Sequence, residues 1–374
     1  MNHLIRTQLR KTVVLSVIAL LIFLFGLSSN AVERFYSDGF YQFSSVAQRA
    51  ISSIFPFTIG DFLYAALIIY CIWSVIRTIK KAAQKTESVS FVKLLPFQLV
   101  NFTLLLYIVF KLFWGLNYSR PSISGRLNIS DNKYTTKDLV LLGNFLIDRV
   151  NILNKKMQDN RSKRTFTITE LESSSKAAYD KLAKVNPFFN YPIPAVKPVL
   201  FSWLISKIGI EGYYCPPSGE ANVNMRIPAA GLPFVTCHEI SHQLGVARED
   251  EANLIGYLVS INSTEPNFQY AGYYDILRSV LFEIRIKSPE DFTSLYKKIN
   301  KGTLADFNKE REFWIKYNGD MSAYMNTALD SFLKINNQKK GTDSYQDIVV
   351  WVFNLHQPEM NQSADKKSSL LPAF

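Results

Sequence analysis

Cysteine and histidine are both scarce, with three cysteines and four histidines in 374 residues. Cys71 falls inside an apolar run, so only Cys215 and Cys237 remain for the rest of the chain, too few to read as a disulfide framework. They are expected as free buried thiols. Charged residues are few as well, at 20% against 48% hydrophobic and 14% aromatic residues, a balance that excludes a disordered chain. No repeat of fixed period is present, which excludes a solenoid.

What the sequence does have is long apolar runs near its start. Thr12 to Ser28 is uncharged throughout, Phe62 to Ile76 reads "FLYAALIIYCIWSVI", and Leu94 to Asn117 contains Asn101 and Lys111. Each is long enough to predict a membrane span if the second lengthens outward through "IFPFTIG", with Asp61 near an interface. Lys111 can snorkel toward the end where Trp114 and Tyr118 supply interfacial aromatics.

Basic residues orient these spans. Arg6, Arg10 and Lys11 precede the first, and Arg77, Lys80, Lys81, Lys85 and Lys93 separate the second from the third, with Glu87 as the only acid there. By the positive-inside rule these segments face the cytoplasm, while the neutral connection with Arg34, Arg49, Glu33 and Asp38 lies outside. Everything after Tyr118 is therefore expected on the periplasmic or extracellular side of an inner membrane. Cleavage after "SNA" at Ser29 to Ala31, read as a signal-peptide site, would leave that placement unchanged. The eight inner bases less the charge of Glu87 supply +7 of the formal +11, so the basic balance reads as topology and predicts no nucleic-acid partner.

The sequence thus predicts a membrane anchor over 1–117, an exported domain over 118–360 and a flexible tail over 361–374. The exported part is punctuated as helices: "TTKDLVLLGNFLIDRVNILNKKM" starts at a threonine cap near Thr136, and "TITELESSSKAAYDKLAKV" repeats the pattern. One stretch departs from it. In "EANVNMRI", Ala221, Val223, Met225 and Ile227 alternate with Asn222, Asn224 and Arg226, the period of an edge strand with one wet face. The fold class is accordingly mainly α, three membrane helices followed by an α-rich domain with a small edge-stranded sheet.

The chemistry sits in "TCHEISHQLGVAREDEANLIGYL", Thr236 to Leu258. His238 and His242 are four apart, so on a helix their rings leave one face a turn apart and can share one zinc ion. Glu239 follows the first histidine, rotated by about 100°, where its carboxylate can serve as a general base. Three protein ligands leave catalytic zinc one open position, and the downstream candidates are Glu249, Asp250 and Glu251. Gly245 can end the first helix in a left-handed cap, and a second helix can begin near Ala247 or Arg248. Glu249 is favoured over Glu251, which lies about 200° away on that helix. Ala252, three residues on, permits close packing, and Asn253, four on, can orient a ligating histidine as an outer partner.

His238-Glu239-x-x-His242 followed by Glu249-x-x-Ala252-Asn253 resembles the glutamate zincins, metallopeptidases whose third ligand is the glutamate of an E-x-x-A/S-D/N motif. "GEANVN" and "LPFVTCHEISHQLGVAREDEAN" behind three apolar runs resemble a bacterial family of three-span membrane proteins with a domain of unknown function, regarded as zinc peptidases. The resemblance implies a zincin-like domain, Zn2+ as cofactor and a peptide or protein substrate. The chain departs from the better-known zincins in the six residues between His242 and Glu249.

The expected activity is peptide hydrolysis by a membrane-anchored zinc metallopeptidase, with Glu239 as base and His238, His242 and Glu249 as ligands. A zinc-stabilised scaffold or receptor and a zinc amidase acting on cell-wall peptides are the alternatives, and the base beside the first ligand argues against the scaffold. Tyr213, Tyr214, Tyr257 and Tyr273 are candidate oxyanion donors, and the edge strand is expected to hold an extended peptide. His356 could serve as a transition-state donor but is expected to be a surface or core residue, and His3 lies on the inner side, away from the site.

Overall fold

The computed structural model describes residues 3–83, 88–159, 165–317, 319–336, 338 and 348–368. It divides into two compact units: 1–121 with the excursion Cys215–Glu220, and 122–214 with 221–374. The boundary falls at Pro121, four residues beyond the expected end of the anchor, and the excursion was not legible in the sequence.

In the first unit, the helices His3–Gly26, Ile59–Ala83 and Ser88–Phe113 are long and apolar enough to cross a membrane. Their ends correct the expected spans. The second lengthens outward only as far as Ile59, partway into "IFPFTIG", because Glu220 caps it: its carboxylate accepts from the Ile59 amide at 2.8 Å, the Gly60 amide at 2.7 Å and the Thr58 hydroxyl at 3.2 Å. A carboxylate at a helix N-terminus satisfies free amides and complements the dipole. The third ends at Phe113, and Gly115–Ser119 tightens into a 3₁₀ turn. Of the bases expected on the inner side, Lys85 lies outside the described residues, as does Glu87. The connection between the first two helices is itself helical, and its Glu33 takes two 2.8 Å bonds from the buried Arg120.

The second unit is mainly helical around one three-stranded sheet. Its first long helix, Thr136–Asp159, is capped by Thr135, one residue before the expected cap, with Asp138 bonding back to it. Thr167 and Glu170 form a reciprocal capping box for Ile168–Ala183. The last helix runs from Ile348 to Ser368, past residue 361 where a flexible tail was expected to begin, and 369–374 lie outside the described residues.

The strands are β1 (Val196–Pro198), β2 (Gly212–Cys215) and β3 (Glu220–Val223), in the order β1-β3-β2. β1 runs parallel to β3, with Val196 opposite Ala221 and Pro198 opposite Val223. The link between β2 and β3 is short enough to permit only a hairpin. β3 is therefore the central strand, and the edge-strand reading of Ala221 to Ile227 is overturned. Asn222 and Asn224 are buried rather than wet, while Arg226, beyond the strand, is exposed: Asn224 donates to the Ser206 hydroxyl at 2.9 Å and the Ile210 carbonyl at 3.1 Å. An alternation of apolar and polar residues looks the same whether its polar face meets water or a buried partner.

Two apolar cores fill this unit. One gathers Leu139, Leu146, Val150, Leu277 and Val280, and the other gathers Val196, Ala221, Val223, Ile240 and Ile255. The helix Leu232–Gln243 contributes Phe234 to the first and Val235, Cys237 and Ile240 to the second, so it is buried on every side.

Candidate metal centre

The helix Leu232–Gln243 carries both site histidines, and its polar groups are met by distant partners. Tyr179 donates to the Cys237 carbonyl at 2.7 Å, and the Gln243 side chain receives Tyr191 at 2.6 Å and reaches the Ala195 carbonyl at 3.0 Å. These bonds fix the helix in rotation, since a buried amide or hydroxyl that lost its partner would cost about 1–3 kcal/mol. Gly245, at φ +84°, ends the helix in the left-handed region as its sequence position predicts. A second helix, Glu249–Asn262, then packs back on the first. Gly256 lets them approach: a Cβ there would lie 3.2 Å from the His238 amide nitrogen. Gly256 follows the fully buried Ala252 by one helical turn and extends the small-residue face that the sequence signals there.

His238, His242 and Glu249 come together as a cluster that could hold a metal ion. The two Nε2 atoms are 3.2 Å apart, and the Glu249 carboxylate is 3.3 Å from His238 Nε2 and 3.7 Å from His242 Nε2. A tetrahedral ion with bonds of about 2.0–2.1 Å needs ligand atoms about 3.3 Å apart, so these spacings fit one without rearrangement. Burial acts against charge on His242, but the Glu249 carboxylate outweighs it and raises the imidazole to about 9. Burial likewise opposes charge on Glu249, while His242 and His238 hold it well below the usual carboxylate range. The cluster is thus a protonated pair in the metal-free chain, and a cation would replace that proton.

Neighbouring groups hold these three in place or point elsewhere. His242 Nδ1 lies 2.7 Å from the Val246 carbonyl, which fixes the ring with Nε2 toward the cluster. Asn253, expected as an outer partner, bonds neither histidine, so for His242 that role falls to Val246. Glu251 faces away, accepting from the Ile123 amide at 2.9 Å and from Arg248 at 3.3 Å.

Glu239 is 4% exposed, and its Oε2 has no hydrogen-bond partner among the described residues. Burial raises it to about 7, partly offset by His238 and His242. β2, an edge strand, passes directly against it. A Cβ on Gly212 would lie 2.7 Å from Glu239 Oε1 and 2.9 Å from the Asn222 carbonyl, so only glycine fits there. Next to Gly212 in the chain, Glu211 joins Asp275, Arg278 and Glu310 in lining a narrow cleft. Arg278 is 3.2 Å from Asp275 and 2.7 Å from Glu310, burial raises Glu211 to about 7, and the field of His238 reaches both Glu211 and Asp275. Neither Gly212 nor this acid-lined cleft carries a signal in the sequence, because both depend on chain segments far from the motif.

The four candidate tyrosines separate. Tyr214 has its ring centroid 6.5 Å from that of His242. Tyr257 is fully buried with its hydroxyl 2.6 Å from His356 Nε2, and Tyr273 stacks in the same cluster. His356 is a core residue as expected, and Cys71, Cys215 and Cys237 are all free.

A family model described as "Protein of unknown function (DUF3810)" matches residues 36–353. No curated protein and no solved structure matches the chain. A match that spans both units and includes every residue of the metal cluster places the chain in that family: it belongs to DUF3810.

Proposed function

We propose that the chain is a membrane-anchored, zinc-dependent peptidase acting outside the cytoplasmic membrane. The observation that carries this reading is Glu239, a desolvated carboxylate with a free oxygen one residue from the first ligand of a three-ligand cluster. A purely structural metal centre closes its fourth position and has no use for such a group. His238, His242 and Glu249 would hold the ion, and two imidazoles with one carboxylate suit zinc. When bound, zinc supplies Lewis-acid polarisation of a carbonyl and lowers the pKa of water toward neutrality.

The chain's own residues supply the rest. Glu239, raised to about 7, accepts the proton of the attacking water and passes it to the leaving amine, since a base is most effective with a pKa near the working pH. β2 takes over the peptide-holding role first read into Ala221 to Ile227, because it is an edge strand and its Gly212 backbone lies against Glu239. Tyr214 is a candidate donor, with its ring centre 6.5 Å from that of His242. The basic residues flanking the first apolar helix and separating the second from the third support an outer position for the second unit.

The test is chelator-sensitive cleavage of a quenched peptide library by the full chain in detergent. Glu239→Gln is expected to keep its zinc and lose turnover by at least about a hundredfold. Wild-type turnover in Glu239→Gln would refute the hydrolase.

A further inference from the structure

A cavity of about 370 Å³ lies beside the segment that enters the metal helix and is not used by the proposed mechanism. Phe166, Tyr270 and Phe313 give it an apolar floor, and Arg226, Lys309 and Lys316 bring three cations against Asp306 and Glu312. Asp306 already accepts from the Tyr270 hydroxyl at 2.8 Å. At one edge the positive charge concentrates. Lys207 Nζ, the Arg226 guanidinium carbon and Lys316 Nζ lie 5.9, 6.0 and 5.8 Å from the ring centre of the buried Tyr317. Among the described residues none of the three has a carboxylate partner. Like charges gathered without a counter-ion repel one another, and a bound anion relieves that repulsion.

The cavity's neighbour has the opposite sign. It shares Pro228 and Ala230 with the cleft where Glu211, Asp275 and Glu310 face the single cation Arg278, within the electrostatic reach of His238. A ligand crossing both meets negative charge near the metal cluster and positive charge beyond it, with apolar walls in the second compartment.

We infer that this cavity binds the carboxylate end of a peptide whose terminal residue is apolar or aromatic. The ring fills the floor made by Phe166, Tyr270 and Phe313, and the carboxylate meets Arg226 and Lys316. The acid-lined cleft repels a carboxylate, so the peptide lies with its free carboxyl end away from the metal cluster. The identity of the ligand rests on the peptidase reading; the existence of an anion site in this cavity does not.

The test measures binding in the full chain in detergent with His242→Ala, so that a metal ion cannot hold the carboxylate. Isothermal titration compares N-acetyl-phenylalanine with its uncharged amide and with inorganic phosphate. The acid should bind at least about tenfold more tightly than the amide, as a charge-assisted bond implies. Arg226→Gln with Lys316→Gln, both at exposed positions, should remove that preference, and Lys297→Gln on another exposed surface should retain it. Equal binding of acid and amide, no binding of either, or phosphate binding as tightly as the acid would overturn the assignment. A chain that shows the acid preference but cleaves no peptide fails the peptidase reading alone.

Discussion

Two histidine environments in the second unit look alike by burial and differ in what their nitrogens do. His356 is 3% exposed and His242 4%. His356 spends both ring nitrogens on neighbours, Tyr257 at 2.6 Å and Glu359 at 3.3 Å, and packs on Phe145 with ring centres 4.7 Å apart. Burial lowers its pKa, as expected for an imidazole held neutral in a core. His242 gives Nδ1 to a backbone carbonyl and turns Nε2 toward His238 and Glu249. Burial alone therefore does not mark a functional histidine; convergence of two imidazole nitrogens on a shared carboxylate does.

Breaking each environment should give opposite outcomes. His238→Ala or His242→Ala should weaken metal binding by more than the roughly 10–100-fold that an outer partner is worth. His356→Leu should leave metal affinity unchanged and lower stability by about 1–3 kcal/mol, because the buried Tyr257 hydroxyl loses its partner. Competition with a chelator of known affinity and denaturant unfolding read the two effects separately.

The protonation states sharpen the contrast. Glu249 raises metal-free His242 to about 9, so below that pH an entering ion must displace one proton. Apparent affinity should climb by up to about tenfold per pH unit and level off above about 9, with proton release visible as a dependence of the binding heat on buffer ionisation. His356 is held neutral and should add no such slope. A pH-independent affinity between 6 and 9 would contradict the coupling of His242 to Glu249.

A smaller effect is expected at the strand that touches the base. Gly212→Ala places a methyl group against Glu239 and the Asn222 carbonyl, an overpacking worth about 1–3 kcal/mol. Zinc content should survive while turnover falls, because Glu239 is displaced and the ligands are not. Gly256→Ala presses on the His238 backbone at 3.2 Å, a contact that a few tenths of an ångström relieve, and should cost less. Melting temperatures of the two variants check that order.

The sequence shows the cluster because its geometry is local. An i, i+4 pair, a left-handed glycine and an acid at the start of the next helix are all set within twelve residues of backbone, from His238 to Glu249. What surrounds the cluster is set by distant segments. The partner of His242 is a backbone carbonyl at Val246, which any residue could supply, so the amide of Asn253 was a misleading signal. Glu220 looked like the start of a wet-faced strand, yet its carboxylate caps a helix 160 residues earlier. The acid-lined cleft joins Glu211 to Asp275, Arg278 and Glu310, residues on three separate elements with no common motif. The three apolar helices were legible by composition, but their ends were not, because a side-chain cap from another part of the chain decides where the second begins.

The central claim is that Glu249, and not Glu251, completes one metal centre with His238 and His242. The two acids, Glu249 half-buried and Glu251 buried, are two residues apart on one helix, yet only Glu249 faces the imidazoles, while Glu251 is held by the Ile123 amide and Arg248. The measurement is metal content per chain by mass spectrometry for the wild type, Glu249→Gln and Glu251→Gln, each purified in detergent and dialysed against the same trace zinc. The account predicts one zinc per chain in the wild type and in Glu251→Gln, and substoichiometric zinc in Glu249→Gln. Full zinc in Glu249→Gln together with loss in Glu251→Gln would contradict it.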